Sequence, residues 1–148
     1  MTDQAATDAR GSVPLFDDSL IARGEVDDDL LLIGWRCTRC ARLSFGARRM
    51  CPFCGARSGR MTRLQEHGWL ETWTTVSAKE HRYTVGYCMV GDGEDDQEVR
   101  VFGPLVADDE AHLRSRQRIR IGFDQSVIAG RTSVHHVFRS DADAGAFR

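Results

Sequence analysis

The sequence predicts a mainly β protein, in which a short N-terminal helix and a small metal ribbon precede a five-stranded barrel. Three observations predict it. Two Cys-x-x-Cys pairs, Cys37-Thr38-Arg39-Cys40 and Cys51-Pro52-Phe53-Cys54, are separated by ten residues. Downstream lie five runs rich in β-branched and aromatic residues, bounded by turn formers. Between the third and fourth runs, Asp108 to Ser115 reads as a short helix with acids near its start.

Residues 1–13 carry almost no apolar side chains and read as a disordered tail. Helix plus ribbon are expected over residues 14–65. From Pro14, the apolar residues Phe16, Leu20 and Ile21 have helical spacing, and Gly24 is placed to end the helix. So short a helix must pack on the ribbon or be held by a partner. Leu30-Leu31-Leu32-Ile33 reads as a strand entering the first cysteine turn.

Each Cys-x-x-Cys turn aims two thiolates at one point, and the loop between folds the second turn onto the first. The result is a tetrahedral set from Cys37, Cys40, Cys51 and Cys54, which points to a rubredoxin-like zinc ribbon. Iron held by four thiolates fits the same spacing. Disulfides suit small secreted scaffolds, and a redox pair would need one Cys-x-x-Cys beside a βαβ pattern. Four protein ligands leave no open coordination position, so the metal is expected to be structural, with its binding energy part of the folding energy of residues 32–64.

The barrel is expected over residues 66–138. Its first two strands are 69–77 and 83–90, with Gly86 marking a bend or bulge. The loop 91–97 is acidic and reads as mobile. Glu98 to Phe102 alternates and is closed by Gly103-Pro104; Arg118 to Phe123 puts Ile119, Ile121 and Phe123 on one face; Thr132 to Phe138 is the last strand. Residues 139–148 read as a frayed tail. Five short strands with a helix after the third suit an OB-fold, and a Greek-key barrel of other topology or a small sandwich also fits.

A chain of 148 residues holds one ordinary domain or two small ones, and its side chains sum to a net charge of −2, which argues against a general nucleic-acid binder. No apolar run reaches the roughly 20 residues of a membrane span. Met1 to Arg10 lacks the basic start and apolar middle of an export signal, so a reducing cytoplasm is expected. The charge is uneven. Arg36 to Gln65 holds eight arginines and no acid, while a zinc with four thiolates contributes about −2. That face is either solvated or a docking surface for an anion or acidic partner. With Lys79 the sole lysine, the arginine count also reads as genome composition.

Catalytic candidates are thin. Cys88 lies mid-strand and reads as a buried, inert thiol. His135 and His136 are neighbours on a strand and point to opposite faces; His67, His81 and His112 are isolated. No nucleophile, base and orienter come together. Trp69 and Trp73, four apart, share a face and are either core or a flat surface for an adenine ring or a partner's side chain. Base stacking on such aromatics is the basis of an alternative reading, a single-stranded nucleic-acid-binding protein.

The order of helix, Arg36-Cys37 to Cys40, Arg49-Met50-Cys51-Pro52-Phe53-Cys54-Gly55 and the first barrel strand His67-Gly68-Trp69-Leu70-Glu71-Thr72-Trp73-Thr74-Thr75-Val76 resembles a family over residues 14–138. It is the zinc-ribbon OB-fold proteins catalogued as a domain of unknown function and found beside thiolases. Three features depart from the family pattern: Ala41 in place of a Gly at a turn favouring positive φ, no Pro before Arg49, and the acidic insertion 92–98. The resemblance implies a non-catalytic subunit in a hetero-oligomer with a thiolase-like catalytic subunit, acting on carbon–carbon bonds of acyl-CoA esters. The resemblance suits thiolases acting on aromatic or steroid acyl-CoA side chains, such as benzoylsuccinyl-CoA thiolase. Arg42, Arg48, Arg49, Trp69 and Trp73 are the expected contacts to CoA or the partner, with neither nucleic acid nor membrane involved.

Overall fold

The computed structural model describes residues 19–24, 29–107 and 110–140. The N-terminal part is a small antiparallel sheet centred on β2 (Leu30–Cys37), which β1 (Ile21–Arg23), β3 (Leu43–Phe45) and β4 (Gly59–Arg63) all join. The expected helix therefore gives way to a strand at its C-terminal end; residues 14–18 lie outside the described residues. The physical reason is burial. Pairing with Leu30–Leu32 seats Ile21 in the core, 1% exposed, and Leu20 O accepts from Ile33 N at 2.8 Å, whereas an isolated two-turn helix is marginal in water.

The five expected downstream strands form a closed barrel: β5 (His67–Ala78), β6 (His81–Gly91), β7 (Glu98–Val106), β8 (Arg118–Ile128) and β9 (Arg131–Ser140). Their order is β5-β6-β7-β9-β8, antiparallel throughout except for β7 beside β9. This is the OB-fold arrangement. The helix expected over 108–115 is a single 3₁₀ turn at Glu110–His112, with Asp108 and Asp109 outside the described residues. β7 also runs past Gly103-Pro104, which were expected to close it. It pairs with β9 only at Leu105 and Val106, so Pro104 sits on an unpaired edge, where proline is tolerated. Arg139 and Ser140, expected in the tail, end β9. No helix among the described residues is long and apolar enough to cross a membrane.

The bulge lies one strand away from Gly86. Pairing of β5 with β6 slips between Leu70 and Thr72, so Glu71 is the extra residue. The slip reverses the faces: Leu70 opposite Cys88 and Trp73 opposite Gly86 point inward, while Trp69 opposite Met89 points out. Trp69 and Trp73 thus do not share a face. Gly86 instead provides room, since a Cβ there would come within 2.9 Å of Thr72 O.

One hydrophobic core spans both parts. Leu32, Leu43 and Leu64 of the sheet join Leu70, Val90, Val101, Ile119 and Phe138 of the barrel. Electrostatics reinforce this join, and the acidic loop is the means. Arg36, near the end of β2, places Nε and Nη2 on the Asp92 carboxylate at 2.8 Å each and Nη1 and Nη2 on Asp95 at 3.0 and 2.7 Å; Nη1 also meets Ala41 O. Gln97 accepts from Leu43 N and donates to Ala41 O, and Arg60 pairs with Glu94. The loop expected to be mobile is thus docked, and its carboxylates pair with two of the eight ribbon arginines, while Arg63 pairs with Asp29 and Glu66. The Asp92 side chain is fully buried. Its hydrogen bond to Arg36 holds its carboxyl below the usual range, as the same guanidinium does for Asp95.

Arg36→Met leaves Asp92 buried without its cation. Urea unfolding should show a loss of about 3 kcal/mol, the low end for a broken buried pair because Asp95 and Glu94 reach water. The two carboxylates titrate lower folded than unfolded, so their contribution is present above the unfolded value near pH 4 and is lost as pH falls through the folded values. The urea midpoint should therefore drop below about pH 4 in the native chain, and drop less in Asp92→Asn.

Candidate metal centre

β2 delivers Cys37 to the base of the first turn, and Ala41 closes that turn at φ 62°, donating its N–H to Cys37 O at 3.0 Å. The second turn repeats the geometry: Gly55 at φ 78° donates to Cys51 O at 3.0 Å. Backbone amides also point at sulfur, Arg39 N and Cys40 N at Cys37 Sγ (3.3 and 3.4 Å) and Phe53 N at Cys51 Sγ (3.4 Å). Ala41 holds the left-handed conformation expected there, at the steric cost that a Cβ imposes.

The turns bring the four sulfurs together. Cys37 Sγ is 3.6 Å from Cys54 Sγ, Cys40 Sγ is 3.6 Å from Cys51 Sγ, and all four lie within 4.8 Å of one another. A tetrahedral zinc with Zn–S near 2.3 Å requires sulfurs about 3.8 Å apart, so the four cysteines could hold such an ion. All four are free thiols rather than disulfides. Cys37 and Cys51 are buried against Trp35, whose indole lies where a Cβ on residue 59 would stand, 2.0 Å from Trp35 Cζ2; only Gly fits. The amide of Cys40 pulls the Cys37 thiol down. At Cys51 burial opposes ionisation, but the amides of Cys54 and Phe53 and the neighbouring thiols outweigh it and bring the group to about 6. Cys40 behaves oppositely: the Arg42 amide pulls it down, but burial and the other sulfurs push it up to about 11. A bound dication is what allows all four to be thiolates together.

The other singled-out residues are scattered. Arg42 stacks on the Phe53 ring at 4.7 Å, and Arg48 and Arg49 are exposed just beyond Ala47. Trp69 donates from Nε1 to Glu98 at 2.6 Å beneath the Arg116 guanidinium, and Trp73 packs on the barrel core. Cys88 is wholly buried and its thiol is pushed up by desolvation, which suits an inert side chain. His135 meets Ser126 Oγ, and His136 Nε2 donates to Phe102 O at 2.7 Å. Sequence reasoning missed Trp35 as the floor of the cysteine cluster and Arg36 as the bridge to the barrel. The second had a signal: an arginine beside a ligand cysteine, and an acidic loop with no other obvious cation.

No family model and no curated protein matches the chain. The solved structures do offer a match. A chain of the Ltp2-ChsH2(DUF35) aldolase has the same fold, with a TM-score of 0.56 and 18% identity over 74% of this chain and 84% of that one.

A strong chelator such as TPEN should abolish the near-UV circular dichroism of Trp35 and lower the thermal midpoint, with barrel amides the last to lose protection from exchange. Ala41→Gly removes left-handed strain of about 1–2 kcal/mol at a flexibility cost of about 0.5–1. It should raise stability by a few tenths of a kcal/mol or more in urea unfolding.

Proposed function

We propose that the chain is a zinc-containing, non-catalytic accessory subunit of a thiolase-superfamily complex. In it the chain holds the catalytic subunit and helps to bind CoA or acyl-CoA while a carbon–carbon bond is made or broken. The observation that supports this reading is the fold shared with a chain of the Ltp2-ChsH2(DUF35) aldolase. The cysteine cluster supports zinc as the resident ion, held by Cys37, Cys40, Cys51 and Cys54, with a scaffolding role only. A reducing cytoplasm suits these free thiols. Thiolases acting on aromatic or steroid acyl-CoA side chains, benzoylsuccinyl-CoA thiolase among them, are the settings that fit this reading.

The residues would divide the work as follows. Arg42, Arg48 and Arg49 are exposed guanidiniums with no carboxylate partner among the described residues, and they offer planar forks to the phosphates of CoA or to acidic side chains of the partner. Trp69, facing outward under Arg116, remains available for stacking, whereas Trp73 serves the core. The chain supplies no reacting group: Cys88 is buried and protonated, and both His135 and His136 are engaged with neighbouring groups.

The purified chain should turn over no acyl-CoA substrate alone and should co-purify with a thiolase-like protein when the two are expressed together. Turnover by the lone chain contradicts the reading. The triple change Arg42→Ala, Arg48→Ala, Arg49→Ala should weaken CoA binding or complex formation tenfold or more, measured by calorimetry. Salt-sensitive binding to single-stranded DNA or RNA in a gel shift would favour the nucleic-acid alternative instead.

A further inference from the structure

The structure sorts the eight ribbon arginines into two groups. Arg36 on β2 and Arg60 and Arg63 on β4 pair with carboxylates: Asp92, Glu94 and Asp95 for the first, Glu94 for the second, Asp29 and Glu66 for the third. The other five, Arg39, Arg42, Arg48, Arg49 and Arg57, belong to the two cysteine turns and the segments beside them. All five are exposed, and none has a carboxylate partner among the described residues. Every acid that neutralises the first group lies outside residues 36–65, so the division appears only in the folded chain.

Local contacts gather the second group. Thr38 donates from N to Ser58 O at 3.1 Å and from Oγ1 to Ser58 Oγ at 2.8 Å, which draws together their chain neighbours Arg39 and Arg57. The sulfurs of Cys40 and Cys51 lie 3.6 Å apart, so the first turn is adjacent to Met50, which precedes the second. The Phe53 ring covers one face of the Arg42 guanidinium at 4.7 Å. Phe53 is itself 52% exposed and Met50 54%.

Five cations, against about −2 from an ion and its four thiolates, leave this end of the molecule at about +3. An arginine-rich composition explains the missing lysine, but not the missing acid: none of the 22 Asp and Glu residues falls between residues 37 and 58. Arg, Phe and Met are enriched at the cores of protein interfaces, where Lys, Asp and Glu are depleted. Stacking on Phe53 fixes the plane of the Arg42 guanidinium and leaves its N–H edge free, so little freedom is lost when a carboxylate meets that fork.

We infer that the two cysteine turns form a docking face for a protein surface on which carboxylates surround an exposed apolar side chain. In the complex proposed above, on which this assignment rests, that surface belongs to the catalytic subunit. A phosphate would meet the cations and leave Phe53 and Met50 in water. A carboxylate-ringed apolar side chain covers the ring and the thioether while its acids meet the guanidiniums, with the charges steering the encounter.

The test uses the full, zinc-loaded chain and four soluble probes at about 0.15 M salt: a glutamate–tyrosine random copolymer, polyglutamate, CoA and oligothymidylate. Calorimetry should show the copolymer bound tightest, tenfold or more above polyglutamate. Arg39→Glu with Arg57→Glu should weaken it tenfold or more, and Phe53→Ser should bring it down to the level of polyglutamate, with zinc content and circular dichroism unchanged. Arg42→Lys keeps the charge but loses the planar fork, and should still weaken binding several-fold. In the co-expressed complex, Phe53→p-benzoylphenylalanine should crosslink to an acidic stretch of the catalytic subunit. Four results overturn the inference: CoA or oligothymidylate bound as tightly as the copolymer, copolymer and polyglutamate bound alike, copolymer binding that survives Arg39→Glu with Arg57→Glu, or a complex that forms without the crosslink. A chain that binds the copolymer as expected but co-purifies with no thiolase-like protein supports the docking face and contradicts the proposed function.

Discussion

The ribbon cannot hold itself together by apolar burial. Around the cysteines, among the described residues, only Trp35, Cys37 and Cys51 form a buried cluster of their own. A cluster of that size falls far short of the conformational entropy of ordering some thirty residues. The rest of the architecture depends on four sulfurs being drawn to one point, and a dication is the means that chemistry provides. Both turns are shaped for it, with left-handed residues at Ala41 and Gly55 and amides aimed at the sulfurs. The ion would fix the far end of β2, and β2 is the strand on which the other elements of the sheet are built.

β2 also joins the two parts. Within six residues it carries Leu32 into the common core, Arg36 into the acidic loop and Cys37 into the cluster. The buried ion pair is weak evidence of net stability, because both partners give up water. Its effect is geometric. A guanidinium that meets three carboxylates and a carbonyl admits few orientations, so the ribbon is held at one angle to the barrel. An apolar cleft lined by Leu20 and Phe45 on one side and by Tyr87 and Phe102 on the other remains between the two parts.

Much of this was legible in the residues. The two Cys-x-x-Cys pairs announced the cluster because ligand spacing is set by the metal and not by the fold. The barrel strands announced themselves because β-branched and aromatic runs fit a pleated surface in any topology. What failed did so for tertiary reasons. Ile21 has helical spacing with its neighbours, but an unpaired stretch of β2 offered a better burial. Gly86 looked like the bulge, yet the extra residue is Glu71 opposite, and that slip turned Trp73 inward and Trp69 outward. The acidic loop looked mobile because its partner, Arg36, lies 56 positions earlier in the chain. Local patterns carry no record of such pairings.

Zinc K-edge X-ray absorption on the purified chain tests the central claim most directly. Four sulfur scatterers at about 2.3 Å, with no nitrogen or oxygen in the inner shell, is the predicted result. Fewer than four sulfurs, or a light-atom ligand at the zinc, would mean an open site, and the picture of a closed structural cluster would be wrong.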